Sequence, residues 1–172
     1  MEPKMITQPK TIAQVLEYVL IATSFLIPFL ISGPQFLTGS IVNTLLFLFV
    51  SQTHSKKVFP IILLPSIGAV LNGILFGTLT VFLLYFLPFI WIGNYIMVQS
   101  FRYFQKKNSY IFSVLVSSLL KCVVLFSVAY FLATIKIVPP IFIQAMGLFQ
   151  LYTALAGGLV ALLIHKIIVK KI

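Results

Sequence analysis

The residue that most demands an explanation is Lys121, inside the apolar stretch YIFSVLVSSLLKCVVLFSVAYFLA, Tyr110 to Ala133. A lysine at bilayer depth costs roughly 2.5–3.5 kcal/mol to insert, so it faces a partner, a cavity or a ligand rather than lipid. Other polar side chains lie within apolar stretches or at their ends: Gln35, Asn43, Asn94, Gln144, Gln150 and Tyr152, with Trp91 near Asn94. Brought together, such groups offer amide donors and acceptors, one cation and aromatic walls, which is the chemistry of a small-molecule binding site. Catalysis is a poor fit. Glu2 and Glu17 are the only acidic residues, so no acidic cluster can hold magnesium. His54 and His165 have no second ligand at helical spacing, no Gly-rich phosphate loop is present, and no Ser has a His/Asp partnership. The expectation is a protein that is not an enzyme, with no metal and no cofactor.

Each of these side chains also has a plainer role. An intramembrane amide can simply join neighbouring helices, at about 0.6–2 kcal/mol. Trp91 is placed for an interfacial aromatic belt. Lys121 is the deepest cation and Glu17 lies in the first apolar segment, so a structural ion pair between Glu17 and Lys121 is the alternative to a ligand role.

The elements that must position these residues are membrane helices. The chain is 60% hydrophobic and 8% charged, with mean hydropathy +1.14 over 172 residues. A soluble domain could not cover that much apolar surface. No cleavable signal is evident, since the run from Ile12 is too long for a signal core and no A-x-A-like site follows. The pattern predicts an all-α single transmembrane domain over 1–172, with six spans at about 12–31, 36–50, 58–83, 88–105, 110–133 and 142–169. The third span contains Pro60, Pro65, Asn72 and Gly73 and is expected to be broken or bent. Pro88 is expected to open the fourth. Ala69, Gly73 and Gly77 recur at intervals of four, as do Thr153, Gly157 and Ala161, with Ala154 and Gly158 beside them. Such faces let helices approach closely.

Net charge is +10. The basic residues sit at segment ends, which points to topology and anionic headgroups rather than nucleic acid. With both termini cytoplasmic, the inside holds Lys4, Lys10, Lys56, Lys57, Arg102, Lys106, Lys107, Lys166, Lys170 and Lys171, while Lys136 alone falls outside. A seven-span reading would split these clusters across the membrane. The lone Cys122 lies within a span and cannot form an intrachain disulfide.

Three stretches, SGPQFLTGSIVNTLLFL (Ser32 to Leu48), LPFIWIGN (Leu87 to Asn94) and FQLYTALAGGLVALL (Phe149 to Leu163), together with the lysine in SLLKCVVL, resemble the substrate-binding S components of energy-coupling-factor (ECF) vitamin transporters. The resemblance extends over the whole chain in size, span number and orientation. It implies high-affinity capture of a vitamin or similar nutrient from outside a prokaryotic cytoplasmic membrane. The S component docks on an ECF transmembrane coupling subunit bound to two cytosolic ATPase subunits, and topples to release its cargo inside. The substrate-binding set expected on this reading is Gln35, Asn43, Trp91, Asn94, Lys121, Gln150 and Tyr152. Two features depart from the family pattern. The loop between spans one and two, which usually caps the site, is only SGPQ, and the first span has Ala13 and Ala22 but no Ala-x-x-x-Ala pair. The competing class is a membrane scaffold of the MreD kind in cell-wall synthesis, which has no solute site. A secondary transporter is disfavoured by the scarcity of intramembrane carboxylates.

Overall fold

A computed structural model describes residues 10–31, 33–53 and 58–170, with side chains defined for 14–31, 33–53 and 58–167. The expectations for residues 1–9, for 54–57 (with His54, Lys56 and Lys57) and for Lys171 fall outside that range. The described residues form helices and turns, with no strand. In chain order the helices are α1 (Lys10–Leu30), α2 (Gln35–Gln52), α3 (Phe59–Asn72), a 3-10 segment (Gly77–Phe82) running directly into α4 (Leu83–Gln105), α5 (Tyr110–Thr134), the short α6 (Ile141–Met146) and α7 (Leu148–Lys170).

Four helical stretches are long and apolar enough to cross a bilayer: Gln35–Gln52, Gly77–Gln105, Tyr110–Thr134 and Ile141–Ile167. Gln14–Leu30 and Phe59–Asn72 are apolar but shorter. The protein thus has the character of a multi-pass membrane protein. Along α5, Ser113, Ser117, Lys121, Leu125 and Ala129 are buried, whereas Leu115, Leu119, Val123, Phe126 and Tyr130 are exposed. The inner stripe is small and polar and the outer one large and apolar. That arrangement suits a helix with lipid outside and protein inside.

Short connections make successive helices antiparallel, so the bundle has two ends. One carries the α1–α2, α3–α4 and α5–α6 connections; the other carries the α4–α5 connection and the end of α7. At the first end Gln35 Nε2 donates to Ala145 O at 2.7 Å, and Asn72 Nδ2 donates to Phe29 O at 2.6 Å. At the second, Tyr110 Oη donates to Gly158 O at 3.2 Å. Two apolar clusters stack along the axis. One, with Phe47, Phe49, Ile62, Met97 and Phe101, fills the second end. The other, with Phe86, Leu125, Phe142 and Met146, lies towards the first.

The structure changes the expected spans in two places. The third span does not continue to 83. Gly73 takes φ 79° and closes α3, and Gly77, the first residue of the 3-10 segment, takes φ 58°. Two glycines in the left-handed region make a reversal that side-chain-bearing residues resist. Gly73 and Gly77 therefore build a turn and do not extend the small-residue face from Ala69. As a result α4 begins at Leu83, with Pro88 inside it rather than at its start. The sixth expected span is interrupted at Gly147 (φ −97°, ψ −102°), which separates α6 from α7.

Small residues do act as helix spacers in α7. A Cβ on Gly157 would lie 2.7 Å from Thr44 N and 2.8 Å from Ser40 O, so α7 crosses α2 almost backbone to backbone. Thr153 and Ala161, one turn to either side, are buried at 1% and 0% exposure. Gly68 does the same for α3 on α1, where a Cβ would lie 2.6 Å from Phe25 O.

Candidate functional site

The close α2–α7 crossing fixes the first part of the site. It holds Asn43 of α2 against Thr153 of α7, and Asn43 Nδ2 donates to Thr153 Oγ1 at 3.2 Å. Thr153 Oγ1 in turn donates to Gln150 O at 3.1 Å, which settles the direction of the chain of bonds. The carbonyl of Asn43 is thereby aimed at α5, where Lys121 Nζ donates to Asn43 Oδ1 at 2.7 Å. Lys121 is 3% exposed and Asn43 is 1% exposed, so this bond lies inside the protein. Gly93 of α4 faces this stretch of α5: a Cβ there would stand 3.3 Å from Leu125 Cγ and 3.5 Å from Lys121 Cγ.

Next along α4 is Asn94. Its Nδ2 donates to Ile62 O on α3 at 3.2 Å, in the turn that leads to Pro65. Its Oδ1 is buried and has no partner; Ser118 Oγ is the other such atom found among the described residues. Buried amide oxygens are nearly always paired, so an orphan of this kind calls for an explanation.

These residues border a cavity of about 560 Å³, its mouth included. Gln35, Thr38, Asn43, Ser66, Asn94, Lys121 and Gln150 supply its polar wall. Pro28, Pro65, Leu75, Phe76, Ile90 and Met146 are among its apolar lining. The site sits between the two apolar clusters: Ser66 falls between Ile62 and Ala69 on α3, Asn94 between Phe86 and Met97 on α4, and Lys121 between Val114 and Leu125 on α5.

Of the residues expected to bind, Gln35, Asn43, Asn94, Lys121 and Gln150 all come to this cavity, from α2, α4, α5 and α7. Trp91 does not line it. Its Nε1 donates to Ser66 Oγ at 2.8 Å, so it braces a lining residue from behind. Tyr152 does not line it either and is 53% exposed. Residue 152 is two positions from Gln150, about 200° around the helix, so it faces outward while Thr153 turns in. Glu17 is half-buried on α1, which packs on α3 and α2, whereas the neighbours of α5 are α4, α7 and α6.

The expected binding set leaves out Thr38 and Ser66, which line the cavity, and Thr153 behind it. Thr153 had a signal, since it heads the small-residue face of α7. Ser66 follows a proline and gave none. The wall segment Leu75–Phe76 was also missed, because it lies in the turn between the two left-handed glycines. This α3–α4 connection contributes Leu75 and Phe76 to the cavity lining.

No protein-family model matches the chain, and neither a curated protein nor a solved structure does.

Proposed function

We propose that this chain is a membrane-embedded solute-binding protein working as the S component of an ECF-type importer. It crosses a prokaryotic cytoplasmic membrane six times with both termini inside. It takes a small nutrient, a vitamin or related solute, from the outer side and delivers it through a transmembrane coupling subunit driven by two cytosolic ATPases.

The observation that carries this reading is the convergence of Gln35, Asn43, Asn94, Lys121 and Gln150 from four helices on one small-molecule-sized cavity. Within it Lys121 anchors a negatively charged group on the solute and the amides fix its polar edges. A scaffold of the MreD kind needs helix–helix contacts only, and has no use for a buried cation beside a cavity. Charge distribution supports the orientation. Arg102, Lys106, Lys107 and Lys166 lie at the end of the bundle away from the cavity mouth, and Lys136 lies at the cavity end. The positive-inside rule then puts the mouth outside.

The test is native mass spectrometry of the full chain, purified gently from its own host, beside its Lys121→Met variant. A small molecule retained by the wild type and lost from a folded variant is the expected result. Co-purifying coupling and ATPase subunits would place the chain in an importer. Cell-wall synthesis proteins in their place, with no solute, would transfer the case to the scaffold.

A further inference from the structure

The hydrogen-bond pattern of the cavity wall narrows the class of solute, on the premise that this cavity is a solute site. The wall hydroxyls are already committed to the protein. Thr38 Oγ1 donates to Ile31 O, and Ser66 Oγ accepts from Trp91 and donates to Leu63 O. Lys121 is different. Its ammonium has one acceptor, Asn43 Oδ1, and its other N–H groups have none among the described residues. Among the described residues, no carboxylate lines the cavity. The wall therefore presents a positive charge with spare donors and no built-in anion.

Asn94 supplies the complement. Its Nδ2 is used on Ile62 O, and its Oδ1 is buried and unpartnered. Asn94 lines the cavity beside the glycine against which the Lys121 stem packs, and its terminal amide turns about a soft torsion. A donor entering the cavity next to Lys121 is the partner that this oxygen lacks.

We propose that the cavity takes a small, singly negative solute that carries an N–H donor on the same compact frame, with its anionic oxygens on Lys121 and its N–H on Asn94 Oδ1. Two classes are excluded. A cation would meet the lysine charge in apolar surroundings with no carboxylate to offset either. A phosphate ester brings a charge of about −1.5 to −2, which one ammonium cannot neutralise in a buried site.

A matched set of rigid five-membered rings tests this by equilibrium dialysis against the full chain in lipid nanodiscs. Pyrrole-2-carboxylate has both features, furan-2-carboxylate lacks the N–H, pyrrole-2-carboxamide lacks the charge, and 2-(aminomethyl)pyrrole is a cation. Pyrrole-2-carboxylate is expected to bind best, with furan-2-carboxylate about tenfold weaker or more, because a buried acceptor is left unpaired. Lys121→Gln is expected to erase the preference for carboxylate over carboxamide, a ratio that can be read in any folded fraction. Equal binding of furan and pyrrole acids, or binding of the amine as tight as that of the acid, overturns the proposal. If no probe binds, the solute that co-purifies from the host decides. An N–H-bearing monoanion upholds the class, while a cation, a phosphate ester or a solute without an N–H donor overturns it and leaves solute binding intact. No probe binding and no retained solute overturns the solute-site reading as well.

Discussion

Lys121 is held by a neutral amide and not by a carboxylate. Asn43 Oδ1 accepts its hydrogen bond, and Asn43 is itself fixed by Thr153 on the opposite helix. A dipole of this kind orients the ammonium without cancelling its charge, so the cation stays available to an anionic solute. The competing view, in which Lys121 is a structural partner of Glu17, makes a different prediction at this scale. Removing one member of a buried ion pair costs about 3–5 kcal/mol, because the other charge is stranded. With Asn43 as the partner of Lys121, Glu17→Gln is expected to change stability by about 1 kcal/mol or less, in the range of an exposed or interfacial pair. Thermal unfolding of the two proteins in the same nanodiscs distinguishes the cases.

At the scale of the helix, position depends on where backbone can approach backbone. Gly157 is the contact on which α2 and α7 meet, and the same approach presents Asn43 to Lys121. Gly157→Ala would place a methyl 2.7 Å from Thr44 N and 2.8 Å from Ser40 O, and backbone atoms cannot turn aside as a flexible side chain can. The expected loss is about 1–3 kcal/mol, the usual cost of overpacking, together with weakened solute retention as Asn43 moves. The end of α5 carries an opposite opportunity. Lys136 N–H bonds Ala133 O and Ile137 N–H bonds Leu132 O, the two bonds of a Schellman cap, with Lys136 itself at φ 61°. That position usually belongs to glycine, and a side-chain-bearing residue there costs about 1–2 kcal/mol. After allowing for glycine's greater freedom in the unfolded chain, Lys136→Gly is expected to stabilise the protein by roughly 0.5–1 kcal/mol. A rise in the midpoint of thermal unfolding would register it.

For the molecule as a whole, the cavity lies toward one end of the bundle and most of the described basic residues gather at the other. On the proposed orientation, Lys136 is outside and Lys107 inside. In a Cys122→Ser background, Lys136→Cys should react with a membrane-impermeant maleimide applied to intact cells, whereas Lys107→Cys should react only after the membrane is opened. The reverse pattern would turn the cavity mouth to the cytoplasm and remove the case for uptake from outside.

Much of this architecture was legible in the chain, because in a bilayer composition and length act almost directly on structure. A backbone among lipids must satisfy its own hydrogen bonds, so long apolar runs such as Tyr110–Thr134 are helices. A lone charge in such a run must face inward, which singled out Lys121. Period-four spacing put Thr153, Gly157 and Ala161 on one face, and the structure uses that face against α2. What the sequence could not settle was everything that depends on which helix lies opposite. Nothing local tells Asn43 from a helix-joining amide; it becomes the anchor of Lys121 because the Gly157 crossing sets α2 on α7 and α5 packs on α7 beside it. Trp91 and Tyr152 looked like walls by residue type, but helix phase placed one behind Ser66 and the other outward. A break near Gly73 was expected, but its form, a full reversal, was hidden for a similar reason. Glycine at intervals of four fits a packing face and a turn equally well, and only its φ, set once α3 and α4 have docked, decides between them.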